Sequence, residues 1–169
     1  FRPVKRVMDV VEVFIRVRKK MPAKLVLIGD GPDRPDIETF IRSCGFGDDI
    51  RLLGKQEQIE DILPIADLFL LPSAYESFGL AALEAMAAGV PVISSNAGGL
   101  PEINKSGFSG YLCDVGDVEG MATAAISMLE NTASLHSFKL QARQHAMQFS
   151  IHAVLPAYEA LYNRVLQKR

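Results

Sequence analysis

Short apolar runs alternate along this chain with amphipathic stretches, and glycine or proline marks most of the junctions. The short runs predict buried strands, and apolar positions recurring every three or four residues predict helices. Predicted strands cover 24–28, 50–54, 68–72, 90–95 and 107–113. Predicted helices cover 7–17, 34–44, 57–66, a segment after 77, 118–130, 134–148 and 153–167. This alternation predicts an α/β fold, a Rossmann-like parallel sheet with helices on both faces.

One strand–loop–helix unit carries most of the chemistry. The apolar run from Leu68 to Pro72 is followed by a loop and then by an Ala-rich segment of high helix propensity. Gly89 can end this helix. Ser77 is the predicted N-cap of this helix, which leaves the amides from Phe78 to Leu80 as unpaired donors. Donors aligned with a helix dipole favour an anion, and phosphate is the expected one. Gly79 would let that ligand approach the main chain.

Two carboxylates flank this anion site. Glu76 lies in the loop before it, and Glu84 lies within the helix, on a face otherwise lined by Leu and Ala. A carboxylate beside a phosphate site can accept hydrogen bonds from sugar hydroxyls, as the ribose-binding carboxylate of dinucleotide folds does. The alternative is that both are solvated surface residues, which is common for glutamate.

Composition narrows the class of protein. The chain has 169 residues, 49% of them hydrophobic and 22% charged, with a net charge of −2. It is predicted to be one soluble domain without electrostatic affinity for nucleic acid or membranes, and no apolar run approaches the ~18 residues of a membrane span. Two isolated cysteines, Cys44 and Cys113, favour a reducing cytoplasm. The first residue is Phe1, so we expect a piece of a longer protein.

Basic residues crowd the entrance of the first helix. Arg2, Lys5 and Arg6 precede it, where cations oppose the helix dipole. A bound anion such as a diphosphate would explain them, and a solvated basic cap is the alternative.

Three other features give weak or no evidence of chemistry when taken alone. Gly29-x-Gly31 after a strand lacks the third glycine of the dinucleotide fingerprint. Asp114 and Asp117 are interpreted as turn residues, because two carboxylates do not fill a metal shell. The apolar stripes of 118–130 and 153–167 are interpreted as core, and the three histidines lack the spacing of a zinc pair.

The residues around Glu76 and Glu84 resemble a known signature. With Ser77-Phe78-Gly79 after the first glutamate and Gly-Val-Pro-Val after the helix, the pair is similar to that of retaining glycosyltransferases with the GT-B fold. In that family the first glutamate meets the donor sugar and the second binds the ribose hydroxyls. The resemblance assigns the diphosphate or sugar to the amides between them, those of Ser77, Phe78, Gly79 and Leu80.

The same resemblance assigns roles to the other loops. Lys5 matches the family lysine that grips the donor diphosphate, whereas Arg2 stands three residues before it, where the family arginine stands five before. Gly29 and Gly31 would lie at the edge of the donor site, and Lys55 and Gln56 would lie beside the nucleobase. The implied reaction needs no metal and no cofactor, with the leaving phosphate taking the acceptor proton.

Within the family, three short segments look like the N-acetylglucosaminyl L-malate synthases of bacillithiol biosynthesis: 1–6, 53–56 and 107–112. That branch implies transfer of N-acetylglucosamine from its UDP donor to L-malate. Other donors such as GDP-mannose, other acceptors, a non-catalytic nucleotide-binding module and an oxidoreductase domain stay open as alternatives.

The domain expectation follows from the same resemblance. Residues 1–169 would form the donor-binding half of a GT-B enzyme, without the N-terminal acceptor domain, and the last helix, about 153–167, would pack back toward that domain. The expected partners are a nucleotide-sugar, a small acceptor and the protein's own N-terminal domain, and a homo-oligomer is left open. The loops holding Lys5, Gly29, Gln56, Glu76 and Gly98 should converge at the carboxyl edge of the sheet.

Overall fold

The computed structural model of the protein describes residues 1–167, so positions 168 and 169 of the predicted domain lie outside the described residues. The strands are β1 Leu25–Ile28, β2 Ile50–Gly54, β3 Phe69–Leu71, β4 Val92–Ser95 and β5 Gly110–Cys113. The helices are α1 Val7–Lys20, α2 Arg34–Ser43, α3 Ile59–Ile62, α4 Leu80–Ala87, α5 Leu100–Ile103, α6 Val118–Glu130, α7 Thr132–Ala146 and α8 Ile151–Leu166.

All strand pairings in the described chain are parallel, as the alternation of strands and helices predicted. β1 pairs with β2, and β4 lies between β3 and β5. In the second sheet Val92 stands opposite Phe69 on one side and Gly110 on the other. Leu70 of β3 packs against the apolar cluster that β1 and β2 share with α1 and α2, so the two sheets share a core. The predicted α/β class is confirmed.

Helices cover both faces of the second sheet. Val92 and Ile93 are neighbours in β4, so their side chains point to opposite faces. Val92 packs with α4 and α7, in a cluster that includes Ala85, Met86 and Ala142. Ile93 packs with α1 and α6, in a cluster that includes Val13, Met121 and Ala125. Because apolar area is removed from water on both faces, β4 is the centre of the core.

Capping side chains set several helix boundaries. α6 has the predicted bounds, since the Asp117 side chain accepts a hydrogen bond of 2.8 Å from the Gly120 amide. α7 begins two residues earlier than predicted, because Asn131 caps it through the Ser134 amide. The predicted helix 57–66 is instead the single turn of α3 followed by a 3-10 turn, Leu63–Ile65, in which Pro64 has no amide to donate.

The last helix differs most from its prediction. The apolar stripe of 153–167 was interpreted as core, yet α8 has no buried residue within the described chain. Tyr158, Leu161 and Val165 are each at least 43% exposed. The amphipathic pattern correctly predicted a helix but not what it packs against. In the described residues no helix has the length and apolar character needed to span a membrane.

Candidate functional site

The segment before α1 lies against the loop that follows β3. Residues Pro3–Lys5 form a 3-10 turn, and the Val4 carbonyl accepts a hydrogen bond of 2.8 Å from the Ala74 amide. Arg6 ends this turn in the left-handed conformation, with φ 50°, and its guanidinium binds Asp9 at 2.7 Å. A non-glycine residue at positive φ is uncommon, so this ion pair fixes a turn that the chain would otherwise avoid.

This turn directs Lys5 to Glu76. The Lys5 ammonium lies 2.6 Å from the Glu76 carboxylate, 71 positions away in sequence. The Lys5 side chain is 44% exposed, whereas that of Glu76 is 18% exposed, so the carboxylate is the more enclosed partner. The structure therefore brings together the two residues that the sequence assigned to the diphosphate and to the donor sugar. Their roles stay predictions.

The loop after β4 fixes the backbone at Glu76. The Glu76 carbonyl accepts a hydrogen bond of 2.8 Å from the Gly99 amide. Gly98 has φ 59° and lies so close to the Glu76 main chain that a Cβ would overlap it. Sequence reasoning noted these glycines only as a turn, and the Gly98-Gly99 pair was the available signal that two backbones meet here.

The N-cap of α4 is Gly79, so the prediction of Ser77 is wrong. Gly79 has φ 94°, and its carbonyl accepts from the amides of Ala82 and Leu83. In the part of the chain that the structure describes, the amides from Phe78 to Ala81 have no protein acceptor. The donors predicted for an anion, the amides from Phe78 to Leu80, are therefore present, and the amide of Ala81 is added to them.

Gly79 is required by packing as well as by its φ. A Cβ at this position would lie 2.7 Å from the Leu100 side chain and 2.9 Å from the Ile103 side chain, both on α5. The sequence interpretation gave the missing side chain to a ligand that approaches the main chain. The structure instead fills that space with α5, which locks the start of α4 against the protein interior.

Glu84 lies apart from the Lys5–Glu76 pair. It is exposed in the second turn of α4 and lines a groove of about 400 Å³ between α3 and α4. The other lining residues are Ile59, Glu60, Leu63, Pro64, Ala87 and Ala88. Two carboxylates, those of Glu84 and Glu60, line an otherwise apolar groove, which can hold a ligand that has both hydroxyls and an apolar face.

The loops after β1 and β2 lie side by side. The Gly29 amide donates to the Gly54 carbonyl at 2.8 Å. The Gly31 amide donates to the Asp30 carboxylate at 2.8 Å, and this hydrogen bond lowers the pKa of Asp30, with a smaller contribution from the charges of Arg34 and Lys55. Gln56 donates to the Leu53 carbonyl at 2.7 Å. Hydrogen bonds of backbone groups and of the Asp30 and Gln56 side chains thus order both loops.

Arg2 and Asp114 are two further residues singled out in the sequence. Arg2 is exposed at the N-cap of the first turn and makes no capping hydrogen bond with its side chain. Asp114 accepts from the Asn96 side chain at 2.7 Å, and its carbonyl closes the turn to the Asp117 amide at 3.0 Å, as a turn residue would. Across residues 1–167 no cluster of three or more potential metal ligands occurs.

A row of rings lies behind the start of α4. Phe78 meets Phe149 edge to face with 6.1 Å between centroids, and Phe149 meets His145 at 5.6 Å. His145 in turn meets Phe108 at 6.1 Å. Sequence reasoning missed this ring row because its members are up to 71 positions apart and no local pattern indicates which rings meet.

Burial among these rings lowers the pKa of His145, and the nearby Lys105 charge adds to the effect. The unfolded chain then binds a proton more readily than the folded one, so stability should fall as the pH drops below about 6.5. We expect His145→Leu to flatten this fall in urea-midpoint measurements between pH 7.5 and pH 5.5. The exposed His136 on the same helix is the control, and an unchanged slope in His145→Leu would contradict the assignment.

The residues of this candidate site lie in a segment that matches a known protein family. The family model for glycosyl transferases group 1 matches residues 1–145, which include both glutamates and Lys5. The chain belongs to glycosyl transferases group 1. Its parallel sheets and helices are those of GT-B glycosyltransferase structures, as the resemblance implied.

Several known proteins are similar over most of the chain. N-acetyl-alpha-D-glucosaminyl L-malate synthase of Bacillus anthracis is 42% identical over 168 residues, covering 99% of this chain and 44% of that protein. 2-Deoxystreptamine N-acetyl-D-glucosaminyltransferase of Niallia circulans is 36% identical, covering 89% and 41%. The chain therefore spans less than half the length of these relatives.

A solved structure shows the same likeness. A TarM variant of S. aureus, crystallised with fondaparinux, alpha-GlcNAc-glycerol and UDP, superposes with a TM-score of 0.89 at 25% identity. The match covers 96% of this chain and 34% of TarM.

Proposed function

We propose that this chain is the donor-binding domain of a retaining glycosyltransferase that transfers N-acetylglucosamine from UDP-N-acetylglucosamine to an acceptor such as L-malate. The observation that carries the proposal is the Lys5–Glu76 pair at the start of α4, next to unpaired amides. The names of the two relatives, a GlcNAc-malate synthase and a GlcNAc-transferase, support the sugar. UDP in the TarM crystal supports the nucleotide.

The positive end of the site would stabilise the leaving group. A diphosphate would compete with Glu76 for the Lys5 ammonium and accept hydrogen bonds from the amides at Phe78 to Ala81. Arg2, exposed beside Lys5 in sequence, would add a further cation. These groups act where negative charge grows as the sugar C1–O bond to the diphosphate breaks, so the mechanism requires no metal ion and no cofactor.

Displacement of Lys5 would free Glu76 for the donor sugar. Its carboxylate would accept hydrogen bonds from sugar hydroxyls, while the Gly99 hydrogen bond keeps its backbone in place. The acceptor hydroxyl would form its bond to C1 on the face that the diphosphate leaves, and its proton would pass to the departing phosphate oxygen. This path retains the configuration and balances the proton without a protein base.

The nucleoside would lie along α4. Glu84 would accept hydrogen bonds from the ribose hydroxyls, with the apolar groove beside it. The base would lie against the loop of Lys55 and Gln56, contacting its backbone, with the Gly29 and Gly31 loop at the edge.

The acceptor site would come from an N-terminal domain, since the chain spans under half of its relatives. α8 supplies a surface for that domain, with apolar side chains exposed along its length. These side chains are Ile151, Leu155, Tyr158, Leu161, Tyr162 and Val165. Closure of the two domains over the donor would exclude water from the reacting centre.

Amide NMR on the chain tests the donor. We expect UDP and UDP-N-acetylglucosamine to shift the resonances of Gly79, Glu84 and Gln56, with GDP-mannose and NADH as comparison ligands. Shifts from GDP-mannose alone would change the donor within the same family. A response to NADH alone would refute the proposal.

Glu84→Gln tests the ribose assignment. We expect the affinity for UDP to fall about 5- to 10-fold, because a charged acceptor becomes a neutral one, while the fold stays intact. Isothermal titration of UDP measures the change. Glu60→Gln is the matched control, since Glu60 lines the same groove from α3. Equal affinity of wild type and Glu84→Gln would remove this role.

A further inference from the structure

The turn that presents the amides to the proposed diphosphate is supported from behind by the end of α7. Phe78 immediately precedes the N-cap Gly79 and is 39% exposed, so its own burial holds it only in part. Its ring packs edge to face against Phe149, with the ring planes 69° apart. Phe149 is partly buried against the cluster of α4, α7 and β4, which makes it the fixed member of the pair.

A second contact reaches the same turn. The Ile103 backbone lies beside the His145 side chain, and the Ile103 side chain fills the space beside Gly79. Because His145 and Phe149 also pack against each other, one small unit at the end of α7 touches both residues of the turn, Phe78 directly and Gly79 through α5.

The position of Phe149 in the chain gives this unit a further neighbour. Phe149 ends the 3-10 turn Met147–Phe149, and α8 begins at Ile151. α8 buries none of its residues within the described chain, so Phe149 lies at the junction between the core and this exposed helix.

We propose that Phe149 is a positioning residue for the proposed donor site: its ring holds Phe78, and through it the amides at the start of α4, in the orientation that binds the diphosphate. This inference rests on the proposed function of the turn. It assigns Phe149 no contact with substrate.

The test measures the binding of UDP and of uridine to the chain by isothermal titration, in Phe149→Leu, Phe149→Tyr and wild type. Leu keeps apolar bulk but removes the edge-to-face contact, so we expect UDP affinity to fall about 2- to 10-fold. Phe149→Tyr keeps the aromatic ring, so it should retain most of the wild-type affinity for UDP. Uridine lacks the phosphates that meet the amides, so its affinity should not change.

Two further variants separate positioning from stability. Phe138→Leu removes a buried ring of α7 whose centroid lies 5.3 Å from that of Tyr111, and it should lower stability without changing UDP affinity. In a double-mutant cycle, Phe78→Leu should remove the effect of Phe149→Leu on UDP affinity.

The outcomes are distinguishable from failure of the proposed function. Wild-type chain that does not bind UDP would refute the proposed function itself. Normal UDP binding with additive effects of Phe78→Leu and Phe149→Leu, or an equal loss for UDP and uridine, would overturn the positioning role alone.

Discussion

Lys5→Ala in the full-length transferase is expected to lower kcat by ~100-fold or more, which is the usual effect of removing one preorganised donor from a developing negative charge. Lys5 is the cation that the structure places against the more enclosed Glu76, at 2.6 Å. Its loss would remove positive charge at the proposed diphosphate site and would also release Glu76 from its only ion-pair partner within the described residues. Steady-state kinetics with the UDP donor measures the change.

Two variants control this experiment. Lys19→Ala removes an exposed cation at the C-terminal end of α1, remote from Glu76, and should leave kcat unchanged. Thermal unfolding checks that Lys5→Ala still folds, since exposed ion pairs contribute little to stability. Unchanged kinetics in a folded Lys5→Ala protein would eliminate the leaving-group role.

Gly79→Ala should destabilise the chain by about 2 to 5 kcal/mol, as the sum of left-handed backbone strain and overpacking. The added methyl would meet Leu100 at 2.7 Å and Ile103 at 2.9 Å, both fully buried, so α5 or the start of α4 has to move. The urea midpoint measures the loss of stability, and UDP titration should show weaker binding because the amides move with the turn.

Gly89→Ala is the matched control at the other end of α4. Gly89 also has positive φ, 79°, but its added methyl would lie 3.9 Å from the nearest atom, the Lys139 carbonyl oxygen. This variant should lose only the stability that left-handed backbone strain costs, about 1 to 2 kcal/mol. Equal losses at Gly79 and Gly89 would show that packing against α5 does not matter.

The secondary structure was largely predictable because local signals set it. β2 and α6 have the predicted bounds, and α2 ends one residue earlier than predicted. Apolar runs bounded by glycine specify parallel strands, and Asp117 specifies the start of α6 through its own side chain. Asn131 lies three residues before the predicted start of α7. Because it caps the helix, α7 begins earlier than predicted.

The contacts of the candidate site were not predictable from the sequence. The glutamate spacing and the basic segment singled out Lys5, Glu76 and Glu84, and their roles stay predictions. The N-cap was misassigned, since Ser77 is the better capping residue by propensity but Gly79 alone fits a φ of 94° beside Leu100 and Ile103. Which residues meet across 71 positions, as Lys5 and Glu76 do, depends on how the loops pack.

The sequence by itself determined the α/β class, the order of strands and helices, and the family signature around Glu76 and Glu84, because these depend on local periodicity and spacing. Only the tertiary structure decided that Lys5 pairs with Glu76, that α5 fills the space beside Gly79, that Phe149 supports Phe78, and that α8 exposes its apolar side chains. Local preference fixes what each segment becomes, whereas long-range packing selects its neighbours.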